Sequence, residues 1–133
     1  MKFIACAALL VASLVEQKAL SASKAWVKAP AAGETTATAF VIVDNPTMYD
    51  VYLMSVSTDV AGKAQFQKLV SGKAEAVEFI IASAYDSVEL KPDGNQILLS
   101  DLKRPLAAGD KITLFLTTDG GITIEVEAEV RRN

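Results

Sequence analysis

Residues 88–118 read VELKPDGNQILLSDLKRPLAAGDKITLFLTT, and this stretch decides the fold class. Residues 88–90 alternate apolar and charged side chains as a half-buried strand does, and residues 92–95, Pro-Asp-Gly-Asn, are typical of a turn. The largely apolar residues 97–102 predict a second strand, and residues 112–116 predict a third after a connection rich in turn formers. The stretch therefore predicts short strands joined by turns.

The sequence before this block predicts four more strands. They cover residues 19–28, 36–43, 51–57 and 64–70. Trp26 is the large apolar anchor of the first. The turn between the second and third is short, which predicts an antiparallel hairpin. Alternation in the third places Val51, Leu53 and Ser55 on one face and Tyr52, Met54 and Val56 on the other.

Two further stretches complete the pattern. Residues 75–84 fit either a strand or a short amphipathic helix, and their β-branched and aromatic content favours the strand. Residues 122–130 alternate strictly, which predicts that Ile122, Ile124, Val126, Ala128 and Val130 point inward and that the intervening Thr and Glu residues form a solvated outer face. Short strands at this spacing predict an all-β fold, an antiparallel β-sandwich of cupredoxin-like or immunoglobulin-like type.

Composition limits the chain to one globular domain and argues against a nucleic-acid partner. With 133 residues and 51% hydrophobic content it is large enough to bury a single core. The formal net charge is −3. Binding to phosphates needs a basic patch, and the basic residues here are scattered singly except at residues 103–104 and 131–132.

The chain contains no His, which excludes imidazole general bases, Ser-His-Asp triads and most zinc sites. Its one thiol, Cys6, lies in the apolar N-terminal segment. Carboxylate pairs such as Asp86 with Glu89, or Asp93 with Asp101, have no spacing that specifies a reaction. We therefore predict that the protein is not an enzyme and has no catalytic residues.

The N-terminal residues MKFIACAALLVASLV resemble a secretory signal, with one Lys, an apolar run and a polar stretch beyond it. We predict a signal peptide over residues 1–18, a β-sandwich domain over 19–133 and a periplasmic or secreted product. The run is too short to span a bilayer. A buried N-terminal strand or helix is the alternative, and lipidation of Cys6, whose Ile-Ala-Cys context weakly resembles a lipobox, is left open.

Several motifs then resemble one known family in order and spacing. They are Ala25-Trp26-Val27-Lys28-Ala29, Asp44-Asn45-Pro46, residues 88–94 (VELKPDG), and residues 101–110 (DLKRPLAAGD). Together they resemble the periplasmic copper chaperones called PCu(A)C, or PCuAC, over about residues 19–130. The resemblance implies a cupredoxin-like sandwich, export, Cu(I) binding, and partners in copper handling and oxidase assembly.

The same resemblance implies copper ligands that this chain lacks. The family uses a His and a Met near the middle of the chain and a His-x-Met after the Pro-Gly turn, and soft Cu(I) suits imidazole and thioether donors. Here the first His position falls on Gln67, with Leu69 two residues on, and the His-x-Met positions fall on Gln96 and Leu98. We therefore predict no metal ligands at these positions and no bound cofactor, although the family would imply copper.

Two functional hypotheses remain. The first is an exported, non-enzymatic PCuAC-family chaperone that has lost its Cu(I) site, and the second is a ligand-free accessory module that binds a periplasmic protein and is unrelated to copper delivery. Met48 and Met54 are the remaining thioethers, and we interpret them as packing residues. Tyr49, Tyr52, Tyr85 and Trp26 would suit a sugar or peptide platform, or an ordinary core.

Overall fold

The computed structural model describes residues 19–132, and within that range the chain is all-β. The strands are β1 Ser21–Lys28, β2 Ala37–Asn45, β3 Val51–Thr58, β4 Ala61–Val70, β5 Lys73–Val77, β6 Ile80–Ala82, β7 Asp86–Glu89, β8 Asn95–Leu102, β9 Lys111–Thr118 and β10 Thr123–Arg131. The predicted signal peptide, residues 1–18, lies outside the described residues. Residues 19–132 contain no helix of the length and apolarity needed to cross a membrane.

The strands hydrogen-bond in the order β5-β4-β8-β2-β1-β10-β9-β3-β6, and β7 also pairs with β2. β1 pairs with β10 in parallel, whereas the other ladders are antiparallel. The sheet folds over itself into an open sandwich whose core holds side chains from both halves, such as the fully buried Val27, Leu53, Ile97 and Leu114. The predicted β-sandwich is confirmed, with one parallel ladder added.

The block that predicted the fold class forms β7, β8 and β9. β7 and β8 both run antiparallel to β2 along the same edge, since Glu89 pairs with Ile42 and Ile97 with Ala39. The predicted turn lies between them, closed by hydrogen bonds from Gly94 N to Lys91 O (3.0 Å) and from Lys91 N to Asn95 O (2.8 Å). The turn therefore connects two strands that follow one another along the same edge of β2, and these strands do not pair with each other as a hairpin would.

The predicted hairpin between β2 and β3 is wrong. β2 is covered on one edge by β1 and on the other by β7 and β8, whereas β3 pairs with β6 and β9 in the other half of the sandwich. No edge of β2 is left for β3, so residues 46–50 cross between the layers. The side chain of Asn45 holds this crossover: it donates to Tyr49 O and Ala82 O, both at 2.8 Å.

The predicted faces of β3 are wrong beyond its first half. The ladder to β9 shifts register between Leu53 and Ser55, which marks a bulge. One extra residue reverses the side-chain phase, so Leu53 and Val56 are both buried although the simple alternation puts them on opposite faces. Residues 75–84 are extended, as favoured, and form β5 and β6 with a break at Glu78 and Phe79.

The alternation of β10 is confirmed along most of its length. Ile124, Ala128 and Val130 are buried and the three Glu residues between them are exposed. Ile122 is the exception, because it lies in the turn before β10 and is 65% exposed. The core residues of β1 are Ala25 and Val27, whereas the predicted anchor, Trp26, is half-buried on the other face. Its ring centroid is 4.6 Å from that of Phe40, and the Arg131 guanidinium lies 5.6 Å from the Trp26 ring centroid.

Candidate functional site

The structure places the two glutamines that stand at the family's histidine positions directly opposite each other. Gln67 in β4 and Gln96 in β8 are direct cross-strand partners. Their neighbours Phe66 and Ile97 point into the core, so the glutamines project from the opposite face of the sheet. The Gln67 amide nitrogen donates to the Gln96 side-chain oxygen at 2.8 Å, and both residues are only 6% exposed. Two polar side chains thus form one buried pair.

The turn before β8 supplies one more hydrogen-bond acceptor for this pair. Gln96 Nε2 also donates to the backbone oxygen of Pro92 at 2.6 Å, so its amide connects β4 to the turn. Burying an amide without a partner costs about 1–3 kcal/mol, whereas a paired amide avoids that penalty. Throughout residues 19–132 no buried side-chain nitrogen or oxygen lacks a partner. The glutamine pair is therefore a satisfied hydrogen-bonded unit.

Leu69 and Leu98 lie on either side of the pair rather than against each other. Leu98 is two residues beyond Gln96 and pairs with Gln65 and Thr38, and it is partly buried. Leu69 is two residues beyond Gln67, and its backbone nitrogen donates to Gly94 O at 3.3 Å. The four positions therefore share one face, with the glutamines in the central row and one leucine in each flanking row.

These four side chains can donate and accept hydrogen bonds. They contain no sulfur or imidazole nitrogen of the kind that Cu(I) favours as a ligand. The two remaining thioethers are elsewhere and solvent-exposed, so their interpretation as packing residues is wrong: Met48 lies in the crossover between β2 and β3, and Met54 lies on β3. Across the described range, no group of three or more His, Cys, Asp or Glu residues is positioned to hold a metal ion.

The four aromatic residues that could form a sugar or peptide platform are divided between separate packing contacts and loops. Tyr52 packs on Phe79, with ring centroids 5.0 Å apart, and Trp26 packs on Phe40. Tyr49 and Tyr85 lie in neighbouring loops at one end of the sandwich, where Tyr85 N donates to Thr47 O at 3.0 Å. Local sequence patterns do not predict that these two loops meet, because the contact depends on pairings between strands far apart in the chain.

Comparison with known proteins places the chain in a family. A family model described as "Putative lipoprotein LpqE-like" matches residues 20–130. The chain belongs to the LpqE-like family. A relative described as "Putative lipoprotein Lxx21020", from Leifsonia xyli subsp. xyli (strain CTCB07), is 32% identical over 114 residues, which covers 82% of this chain and 68% of the relative.

Solved structures similar to this LpqE-like chain are PCuAC domains. The copper-bound PCuAC domain from PmoF2 superposes with a TM-score of 0.75 at 20% identity, covering 89% of this chain and 97% of that domain. The Cu(I) form of DR1885 from Deinococcus radiodurans gives 0.72 at 21% identity, covering 91% of this chain and 84% of the other. The resemblance inferred from the sequence motifs is confirmed, and the LpqE-like chain has the PCuAC fold.

The glutamine pair predicts a non-additive effect on stability. Gln67→Leu alone should lower the free energy of unfolding by about 1–2 kcal/mol, because it leaves the Gln96 side-chain oxygen without its partner. Gln67→Leu combined with Gln96→Leu should lower it by less than the sum of the single changes. Urea denaturation of the three variants measures the coupling.

Gln65→Leu is the matched control, because Gln65 lies on the same strand and face but is exposed. It should change the free energy of unfolding by less than about 0.5 kcal/mol. Additive effects of the Gln67 and Gln96 changes would contradict an energetically coupled pair.

Proposed function

We propose that this LpqE-like protein is an exported, non-enzymatic member of the PCuAC fold that has lost the Cu(I) site and acts through a protein partner. The observation that carries the proposal is the buried hydrogen bond between Gln67 and Gln96. It occupies the positions that the motif resemblance gives to the two histidine ligands. A pair of amides in hydrogen bonds to each other and to Pro92 O serves a structural purpose.

The chemistry of Cu(I) supports the loss of the site. Cu(I) is a soft ion that favours thioether sulfur and imidazole nitrogen, whereas an amide oxygen is a hard donor suited to Mg²⁺ or Ca²⁺. Leu69 and Leu98 occupy the flanking rows with side chains that have no donor atom. Gln96 Oε1 already accepts the 2.8 Å hydrogen bond from Gln67 Nε2, so a metal ion at this oxygen would compete with that bond.

Export is supported by the N-terminal sequence and by the relatives. Residues 1–18 have the composition of a secretory signal, and the Leifsonia relative and the family are described as lipoproteins. We propose a mature periplasmic or secreted domain that starts at or near Ala19. Intact-mass spectrometry of the exported protein tests this boundary, and a mass that retains an acylated Cys6 would replace it with a lipid-anchored product.

A Cu(I) titration against a chromophoric chelator tests the loss of the copper site. We expect the wild-type protein to leave the chelator complex unchanged at equimolar concentration. The PCuAC domain from PmoF2, whose solved structure is copper-bound, is the positive control. Removal of one equivalent of Cu(I) from the chelator by the wild-type chain would contradict the proposal.

Copper delivery is the second candidate function, because copper-bound domains share the fold. Among the described residues it would need the exposed Met48 and Met54 as soft donors. Replacing both by Leu separates the two possibilities: Cu(I) binding that this double substitution abolishes would establish a relocated methionine site and favour delivery.

A further inference from the structure

Among residues 19–132, the four most exposed large apolar side chains lie in loops at one end of the sandwich. They are Met48 (62% exposed), Tyr49 (70%), Tyr85 (72%) and Ile122 (65%), and the next is Met54 at 44%. This end, called the Tyr49 end below, consists of residues 46–50, 83–85 and 119–122 together with the start of β1, where Ser21 pairs with Asp44. Single exposed apolar residues are ordinary, but a cluster of them marks an interaction surface.

Hydrogen bonds hold the loops of the Tyr49 end in place. Asn45 Nδ2 binds Tyr49 O at 2.8 Å, and Tyr85 N donates to Thr47 O at 3.0 Å, which joins the first two loops. The third loop is fixed to the start of β3, because Asp119 N donates to Tyr52 O at 2.9 Å. The apolar side chains therefore project from a preorganised frame, which lowers the entropy lost when a partner binds.

The backbone at Tyr85 supports a role for its side chain. Tyr85 has a φ of +58°, in the left-handed region that Gly and Asn adopt at least cost. The ring is 72% exposed, so burial in the fold does not explain the choice of Tyr. Non-Gly residues held in this backbone region cluster at binding and other functional sites.

The charged side chains of the segments that form and flank this end all have one sign. The segments 19–23, 44–52, 82–88 and 117–124 contain four Asp residues, no Glu, and no Lys or Arg. Two of the carboxylates also support the loops, since Asp50 Oδ1 accepts from Ala84 N at 2.9 Å and Asp119 Oδ1 accepts from Tyr52 N at 3.2 Å. The Tyr49 end thus combines exposed apolar side chains with nearby Asp carboxylates.

We propose that the Tyr49 end docks a protein whose surface is basic and has apolar sockets for the two tyrosines, Met48 and Ile122. Opposite charge would steer the encounter, and tyrosines are frequent energetic centres of protein interfaces. A second copy of this end would meet it with the same negative charge, and anionic phospholipid headgroups would repel it. The inference rests on the partner in the proposed function, since it assigns the surface and chemistry of that partner.

Site-specific photocrosslinking of the full-length chain in the organism that encodes it tests this surface. Benzoylphenylalanine replaces Tyr49 in one variant and Ile122 in another. In the control it replaces Asp59, which is exposed in the turn between β3 and β4 at the other end of β3. We expect one and the same protein adduct from the first two positions and none from the third. Raised salt should lower the yield, because the association is steered by charge.

Charge substitutions separate specific docking from nonspecific capture. Asp50→Asn with Asp119→Asn keeps both oxygen acceptors but removes two charges, and it should lower the adduct yield several-fold. Asp59→Asn with Asp93→Asn removes the same charge from exposed turns elsewhere and should leave the yield unchanged. Tyr85→Gly should raise the unfolding temperature by relieving the backbone and still reduce the adduct at position 49.

Each contrary outcome overturns the proposal. Three results would do so: no adducts at positions 49 and 122, equal adducts at position 59, or an adduct yield that the Asp50 and Asp119 changes leave unaltered. Phospholipid adducts would assign the Tyr49 end to a membrane surface instead. Cu(I) binding by the wild-type chain would contradict the loss of the copper site but leave the crosslinking result intact, so the two failures are distinguishable.

Discussion

Gln67→His, Leu69→Met, Gln96→His and Leu98→Met, introduced together, are expected to give the chain measurable Cu(I) affinity. Cross-strand partners have Cβ atoms about 4.5–5.5 Å apart, so imidazoles at positions 67 and 96 can reach one ion. The two methionines would bring thioethers from the flanking rows of the same face. Against a Cu(I) chelator we expect binding at least about 100-fold tighter than wild type, because the variant supplies four imidazole and thioether donors and even the loss of an outer-shell partner of a ligand changes metal affinity by about 10–100-fold.

The controls for this variant show which positions matter. Leu69→Met with Leu98→Met alone should not bind, since the two thioethers flank the central row from opposite sides. Gln65→His with Ser100→His places two imidazoles on the same face but not in directly opposed positions, because Gln65 pairs with Leu98 and Ser100 with Lys63. A four-residue variant that binds no better than these controls would show that the ligand positions are placed wrongly.

Asn45→Ala is expected to cause a large loss of stability. Asn45 is fully buried, donates to Tyr49 O and Ala82 O, and accepts hydrogen bonds from Thr47 N (3.0 Å) and Thr47 Oγ1 (2.6 Å). The substitution removes all four bonds and leaves the Ala82 carbonyl without this donor. At about 1 kcal/mol net for each bond, with some compensation by water, we expect a loss of about 3 kcal/mol.

Urea denaturation measures that loss, and Ser87→Ala is the matched control. Ser87 Oγ also donates a side-chain hydrogen bond across strands, to Asp44 Oδ1 at 2.7 Å, but at the exposed surface. Its replacement should change the free energy of unfolding by less than about 0.5 kcal/mol. If the two variants lose equal stability, Asn45 does not fix the crossover between the layers.

The sequence predicts strands well where side-chain alternation and turn chemistry agree. β8, β9 and β10 follow from local patterns, because each has a buried face and a distinct turn before it. Which strands pair with each other is harder to predict from the sequence. Residues 46–50 are short enough for a hairpin, but β2 has no free edge, and only the pairing of β2 with β1, β7 and β8 shows this.

The candidate site was located by family motifs and not by its own chemistry. Gln67 and Gln96 are ordinary residues in sequence, and their meaning depends on alignment with a family that places histidines there. That the two amides bond to each other, and that Pro92 O takes the second donor of Gln96, depends on the register of β4 against β8 and on the turn between β7 and β8. The Tyr49 end was missed because three distant loops form it.

The parallel ladder between β1 and β10 has a consequence for the timing of folding. Trp26 pairs with Glu129, so the ladder joins strands about a hundred residues apart, and closing so long a loop is slow compared with forming local hairpins. The sandwich cannot close until the last strand has left the ribosome. A nascent chain stays open until β10 has emerged, which would leave the unfolded precursor of the proposed exported product accessible to an export pathway before the native structure forms.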